Sequence, residues 1–106
     1  MNKYSARRTY SHLCERWFAS KAEARRGEEL RLLARAGEIS DLRYQVRFIL
    51  SKDPKVTITI DFCYLEGNKL HETRIFEDVK GVETREFRVK RIWLEQSQGI
   101  KVLLSK

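Results

Sequence analysis

The chain has 106 residues, with 22 Lys and Arg against 15 Asp and Glu, for a formal charge of +7. That length supports one domain with a modest core and excludes two. No apolar run is long enough to cross a bilayer and the N-terminus has no apolar signal core, so a soluble, cytoplasmic protein with no membrane partner is expected. The cationic surplus points to a polyanion, most commonly nucleic acid.

Residues 1–19 form a basic and aromatic segment, in which Arg7, Arg8 and Arg16 are mixed with Tyr4, Tyr10, Trp17 and Phe18. Arginines pair with phosphate and aromatics stack on bases, so Arg7 and Arg8 are candidate DNA contacts. Trp17 and Phe18 have a plainer role open to them, as anchors of this segment on the core. Residues 20–106 carry the regular periodicities and are read as the domain proper.

A helix is expected from about Ser20 to Ala36, closed by Gly37. Glu23 has two roles open to it. It completes a capping box with Ser20, and it stands two turns before Leu30 on the stripe that continues through Leu33 and Ala34, which would turn it inward. The inward role is favoured, and it requires a partner, since burying a lone carboxylate is costly.

After the connection 37–42, residues 43–50 alternate as a strand, with Tyr44, Val46 and Phe48 on one side and Arg43, Gln45 and Arg47 on the other. A turn containing Pro54 leads into residues 56–64. There Val56, Ile58, Ile60, Phe62 and Tyr64 share one face, and Asp61 lies on the opposite face with Thr57, Thr59 and Cys63. Residues 66–69 are turn chemistry, so the next run should return antiparallel. In the stretch 76–81, Asp78 and Lys80 point one way while Glu77 points the other, beside Ile75 and Val79. Asp61, Asp78 and Lys80 are therefore expected to cluster, with Gln45 on the same polar side.

Thr84 or a neighbour should cap a second helix running to about Gln98. Val89, Ile92, Trp93 and Gln96 follow the spacing of a packed face, with Lys90 and Arg91 elsewhere as candidate DNA contacts. Phe87 and Leu94 fall on the other side, as an apolar surface for a partner subunit. A short strand over 100–104 closes the chain. The order α-β-β-β-α-β implies an α/β domain with one mixed sheet flanked by helices.

Two aspartates beside an ammonium suit phosphodiester hydrolysis. Magnesium takes oxygen ligands and acidifies bound water, and a lysine can orient that water and stabilise developing charge. Asp61, Asp78 and the carbonyl of Val79 are the expected ligands, Lys80 the expected general base or electrostatic group, and Glu23 a further contact to water or a second ion. Glu72-Thr73-Arg74 has the same acid-x-base form, so the pattern draws its force from its context. His12, Cys14, Cys63 and His71 lack the spacing of a structural zinc site. The alternative to catalysis is a basic nucleic-acid-binding module whose acids serve only in ion pairs.

Helix Glu23, strand Asp61 and Asp78-Val79-Lys80 resemble the PD-(D/E)XK, or restriction-endonuclease-like, nuclease superfamily. Residues 20–26, residues 37–42 with Gln45, and residues 77–81 are similar to a small phage-encoded branch of proteins of unknown function regarded as Holliday-junction-resolvase-like. The resemblance implies a restriction-endonuclease-like core, dependence on Mg2+ or Mn2+, and cleavage of DNA, often branched, by a homodimer in the host cytoplasm. Ile60 stands where the motif's proline would be, and the N-terminal segment lacks the glycine expected in its turn.

Overall fold

Alternating apolar residues organise a four-stranded sheet. The computed structural model describes residues 7–106; Tyr4 lies outside the described residues. The sheet runs in the order β3 (Ile39–Lys52), β4 (Lys55–Asn68), β5 (His71–Val79) and β6 (Val102–Ser105). The first two pairings are antiparallel and β5 pairs with β6 in parallel, so the sheet is mixed. The parallel pair is joined through α2 (Arg85–Gln98), and α1 (Lys21–Arg35) precedes the sheet. The expected mixed α/β architecture and element order are present.

Both long strands outrun their expected limits, because irregularities absorb positions that break alternation. In β3, Asp41 and Gln45 have positive φ of 51° and 52°, and the pairing with β4 slips between Ser40 and Arg43. At the far end of β4, Gly67 has φ of 114°, and an added Cβ would sit 2.1 Å from the His71 carbonyl oxygen, so only glycine fits. The reversal itself is the two-residue step Lys69–Leu70, held by Asn68 Oδ1 accepting from the amides of Leu70 and His71.

The core has two parts. Phe62 and Tyr64 pack with Leu30 and Ala24 of α1, while Ile58 and Ile60 pack with Leu94 of α2 and Val102 of β6. Leu30, Ile60, Phe62 and Leu94 are fully buried, each contributing about 1.5–3 kcal/mol relative to exposure. On β3 the same division separates Tyr44, in the first cluster, from Phe48, in the second. The changeover falls at the facing pair Gln45 and Asp61, where the strand conformation is also irregular.

Helix α2 is turned differently from expectation. Leu94 is buried and Phe87 half-buried, whereas Val89, Ile92 and Trp93 are 55%, 45% and 38% exposed. Two stripes on this helix satisfy the three-and-four spacing. The inward one, Phe87–Lys90/Arg91–Leu94, is completed by the apolar stems of charged residues. Leu94 is therefore a core residue and Phe87 packs against the same cluster, so the two do not form the outward apolar surface expected of them.

Residues before α1 form an unexpected ribbon, β1 (Thr9–Ser11) paired antiparallel with β2 (Arg16–Phe18). It is pinned to α1 by Ser11 Oγ, which donates to Glu28 Oε2 at 2.7 Å, and by Phe18, which lies against Gly27. A Cβ on Gly27 would meet the Phe18 ring at 2.7 Å. Among the described residues, no helix is long and apolar enough to cross a membrane.

Candidate active site

The site forms where the β4–β5 ladder ends. Regular pairing stops at Phe62 opposite Glu77. One step further, side chains take over. Asp78 Oδ1 accepts from the Asp61 amide at 2.9 Å, and Asp61 Oδ2 accepts from the Val79 amide at 2.9 Å. The two aspartates are thus tied to each other's strand, and β5 ends at Val79. Lys80 lies just past the strand rather than within it, its amide donating to the Ser105 carbonyl at 2.8 Å.

Lys80 Nζ reaches back to within 3.1 Å of Asp78 Oδ2 and lies 4.2 Å from the centre of the Phe87 ring, so a carboxylate and an aromatic face hold it. The contact with Asp78 is an ion pair. Asp78 Oδ2 is fully buried and has no hydrogen-bond partner, in a residue only 1% exposed. Buried polar oxygens are normally satisfied.

Glu23 is the inward acid that the helix periodicity predicts, only 4% exposed. Ser20 is the N-cap and its hydroxyl accepts from the Glu23 amide, half of a capping box. The other half is altered: Glu23 Oε2 accepts from the Ala19 amide at 3.1 Å, one residue earlier than the box requires. Its second oxygen accepts from Gln45 Nε2 at 2.9 Å, and the same nitrogen donates to Asp61 Oδ1 at 3.3 Å. One amide therefore bridges two carboxylates.

A family model described as a protein of unknown function (DUF1064) matches residues 1–102. The chain belongs to the DUF1064 family. No curated protein and no solved structure matches it.

Electrostatically, the two aspartates of this DUF1064 chain are under-compensated. Burial pushes Asp61 up to about 6, with the Glu23 charge adding to it against the Val79 amide and Lys80. Burial also pushes Asp78 up to about 6, reinforced by Asp61 and opposed by the Asp61 amide and Lys80. The site holds more negative charge than its donors offset.

Glu77 is its counterpart on the other side of β5. It is fully buried, yet Arg26 grips it with two hydrogen bonds of 2.6 and 3.0 Å, and Tyr64 Oη and Ser105 Oγ donate to it at 2.7 and 2.8 Å. Burial alone would raise its pKa; these donors hold it below the ordinary carboxylate value. Glu77 is a structural acid, in keeping with the strand alternation that separates it from Asp78.

Among the described residues, no group of three or more His, Cys, Asp or Glu is arranged to hold a metal ion as it stands. The hydrogen bonds explain this. Asp61 Oδ2 and Asp78 Oδ1 face backbone amides, and the Gln45 amide stands between Glu23 and Asp61. The oxygen without an aligned hydrogen-bond donor is Asp78 Oδ2, which faces the Lys80 ammonium. Val79 contributes its N–H to Asp61 and sits at the strand end between Asp78 and Lys80.

The predicted DNA contacts divide. Arg7 and Arg8 are exposed at the ribbon, and Arg8 lies over the Trp17 ring, 5.0 Å from its centre. Gln45 is committed to the carboxylates. Lys90 pairs with Glu86 at 3.1 Å and Arg91 with Glu83 at 2.7 Å. Lys80 and Lys90 nevertheless line one cleft of about 400 Å³, bounded by Thr57 and Thr84. Sequence reasoning missed Arg26 as the partner of Glu77, since nothing in their spacing announces a contact across 51 positions.

Proposed function

We propose that this DUF1064 chain is a divalent-metal-dependent DNA endonuclease of the PD-(D/E)XK type, acting on branched DNA in the manner of a Holliday junction resolvase. The observation that carries this reading is Asp78 Oδ2: a buried carboxylate oxygen that meets the Lys80 ammonium but no aligned hydrogen-bond donor, with a second aspartate tied to the same strand end. A fully structural acid would be satisfied, as Glu77 is. A hard cation suits two carboxylates that share one lysine, and the raised pKa values of both aspartates fit a site short of positive charge.

Asp61 and Asp78 would hold Mg2+ or Mn2+, with Val79 and Glu23 adjacent. When bound, the ion supplies charge neutralisation at the scissile phosphate and an acidified water. The chain's own groups do the rest. Lys80 Nζ, fixed between Asp78 and Phe87, donates hydrogen bonds to the attacking water or to phosphate oxygen and offsets charge as it develops. Glu23, anchored by the Ala19 amide and Gln45, presents a buried acceptor that orients water from the helix side. Lys90, in the same cleft as Lys80, meets the phosphate backbone. Cutting both strands of a junction symmetrically calls for a two-fold homodimer, and the setting for such work is the cytoplasm, that of the host if the chain is phage-encoded.

The test is incubation of labelled four-way junctions and linear duplex with the protein, in magnesium and in chelator. Magnesium-dependent cutting of junctions supports the reading; no cutting of any DNA under either condition overturns it. A second reading, a non-catalytic nucleic-acid-binding module, is favoured by the hydrogen bonds that now occupy Asp61 Oδ2 and Asp78 Oδ1. It predicts salt-sensitive DNA binding that magnesium leaves unchanged, and no heat on calorimetric titration with magnesium or manganese.

A further inference from the structure

The β1–β2 ribbon has two unlike faces. Its inner face holds Thr9 opposite Phe18 and Ser11 opposite Arg16, and Ser11 and Phe18 are buried at 2% and 3% exposure. These residues account for the anchoring: Ser11 through Glu28, and Phe18 through Gly27 and the first core cluster. The outer face holds Tyr10 opposite Trp17, 40% and 53% exposed, with the exposed His12 of the turn against Tyr10. Tyr10 meets Trp17 and His12 edge to face, with ring centres 5.3 and 5.0 Å apart. The Arg8 guanidinium lies over the indole. None of these outer groups is needed to hold the ribbon down.

An exposed aromatic cluster is costly to leave in water unless something covers it. Charge narrows the choice of partner. Between Arg7 and Phe18 there are three arginines and one acid, Glu15, on a chain of net charge +7, so the complementary partner is anionic. Flat rings beside guanidinium groups fit a ligand that alternates flat rings with phosphates. Duplex DNA hides its base faces; an unpaired strand offers them. We propose that the outer face of the ribbon is a stacking platform for unpaired bases of single-stranded or locally opened DNA. Trp17 and Tyr10 take the bases, and Arg7 and Arg8 take the flanking phosphates. The platform adjoins the candidate active site, because the Ala19 amide, two residues beyond Trp17, is the donor that fixes Glu23. The inference borrows only its class of partner, DNA, from the proposed function and does not depend on cutting.

The experiment is anisotropy titration of the full chain in chelator with a labelled thymidine oligonucleotide of about a dozen nucleotides, and with a blunt duplex of equal phosphate count. Trp17→Ala should weaken oligonucleotide binding at least about tenfold and duplex binding less than about twofold, while Trp17→Phe keeps most of the affinity. With Trp93→Phe as background, Trp17 is the remaining indole, and its emission should be quenched as the oligonucleotide saturates; this readout leaves the ribbon intact. An equal loss for both DNAs, no loss for either, no quenching, or competition by poly-glutamate as effective as by unlabelled oligonucleotide would each overturn the platform. Binding with the expected Trp17 dependence but no cutting would keep the platform and remove the nuclease reading; cutting without Trp17 dependence would do the reverse.

Discussion

Glu77 and Asp78 are neighbours on one strand, both buried, and they have opposite chemistry. Glu77 faces Arg26, Tyr64 and Ser105, receives four hydrogen bonds and is held ionised below its ordinary pKa. Asp78 receives one amide at Oδ1, has only the Lys80 ammonium at Oδ2, and is pushed up to about 6. Burial is common to the two; compensation is not. A buried acid with its donors in place supports the fold, whereas one that lacks them marks where a cation or a proton is wanted.

That contrast can be broken from either side. The largest effect is expected at Asp78. Asp78→Ala should reduce magnesium-dependent junction cleavage by about three orders of magnitude or more, roughly 4 kcal/mol of barrier, while DNA binding in chelator changes little. Retained cleavage would remove Asp78 from the chemistry. On the opposite side, Arg26→Ala strands the Glu77 carboxylate and should destabilise the protein by about 3 kcal/mol, measured by urea unfolding at neutral pH. The low end of the range for broken buried pairs applies because the Arg26 side chain is 26% exposed.

Asp78→Asn should do the reverse and stabilise the metal-free protein, by about 1 kcal/mol above neutrality, because it removes a charge that the site does not offset. The pH window follows from the raised values. Asp61 and Asp78 titrate near 6 when folded against 3.8 ordinarily, so between these limits the folded state holds protons that the unfolded chain has released. Their contribution therefore makes the metal-free fold lose stability as pH rises from about 4 to about 6. The melting-temperature gap between Asp78→Asn and wild type should widen across that window and level off above it. Glu77 runs the other way: its contribution is present above its ordinary value and lost as pH falls through the depressed one. The smallest effect is expected for Gln45→Ala, about 0.5–1.5 kcal/mol, since it removes the amide that keeps Glu23 and Asp61 apart. It should also push Asp61 higher still, seen as an upward move of its carboxyl titration by NMR.

The choice of Asp78 over Glu77 was legible because β5 is regular, and alternation on a regular strand assigns faces. The inward Glu23 was legible from helix spacing. Alternation puts Gln45 on the polar side of its strand, but its contact with two carboxylates and its positive φ are not announced by the residue type. Helix α2 misled because apolarity and burial part company there. Val89, Ile92 and Trp93 form the more hydrophobic stripe, yet the sheet receives the one centred on Leu94. Of the ribbon only the anchoring Phe18 was legible, its strands of three residues being stabilised by contacts with α1 rather than by pattern.

Gly27 sets how firmly those two parts of the molecule are geared together. With no side chain there, the Phe18 ring seats directly against the helix, and the next residue presents its amide to Glu23. A single methyl group added at Gly27 would have to displace the Phe18 ring, and the amide that holds the inward acid stands on the very next residue.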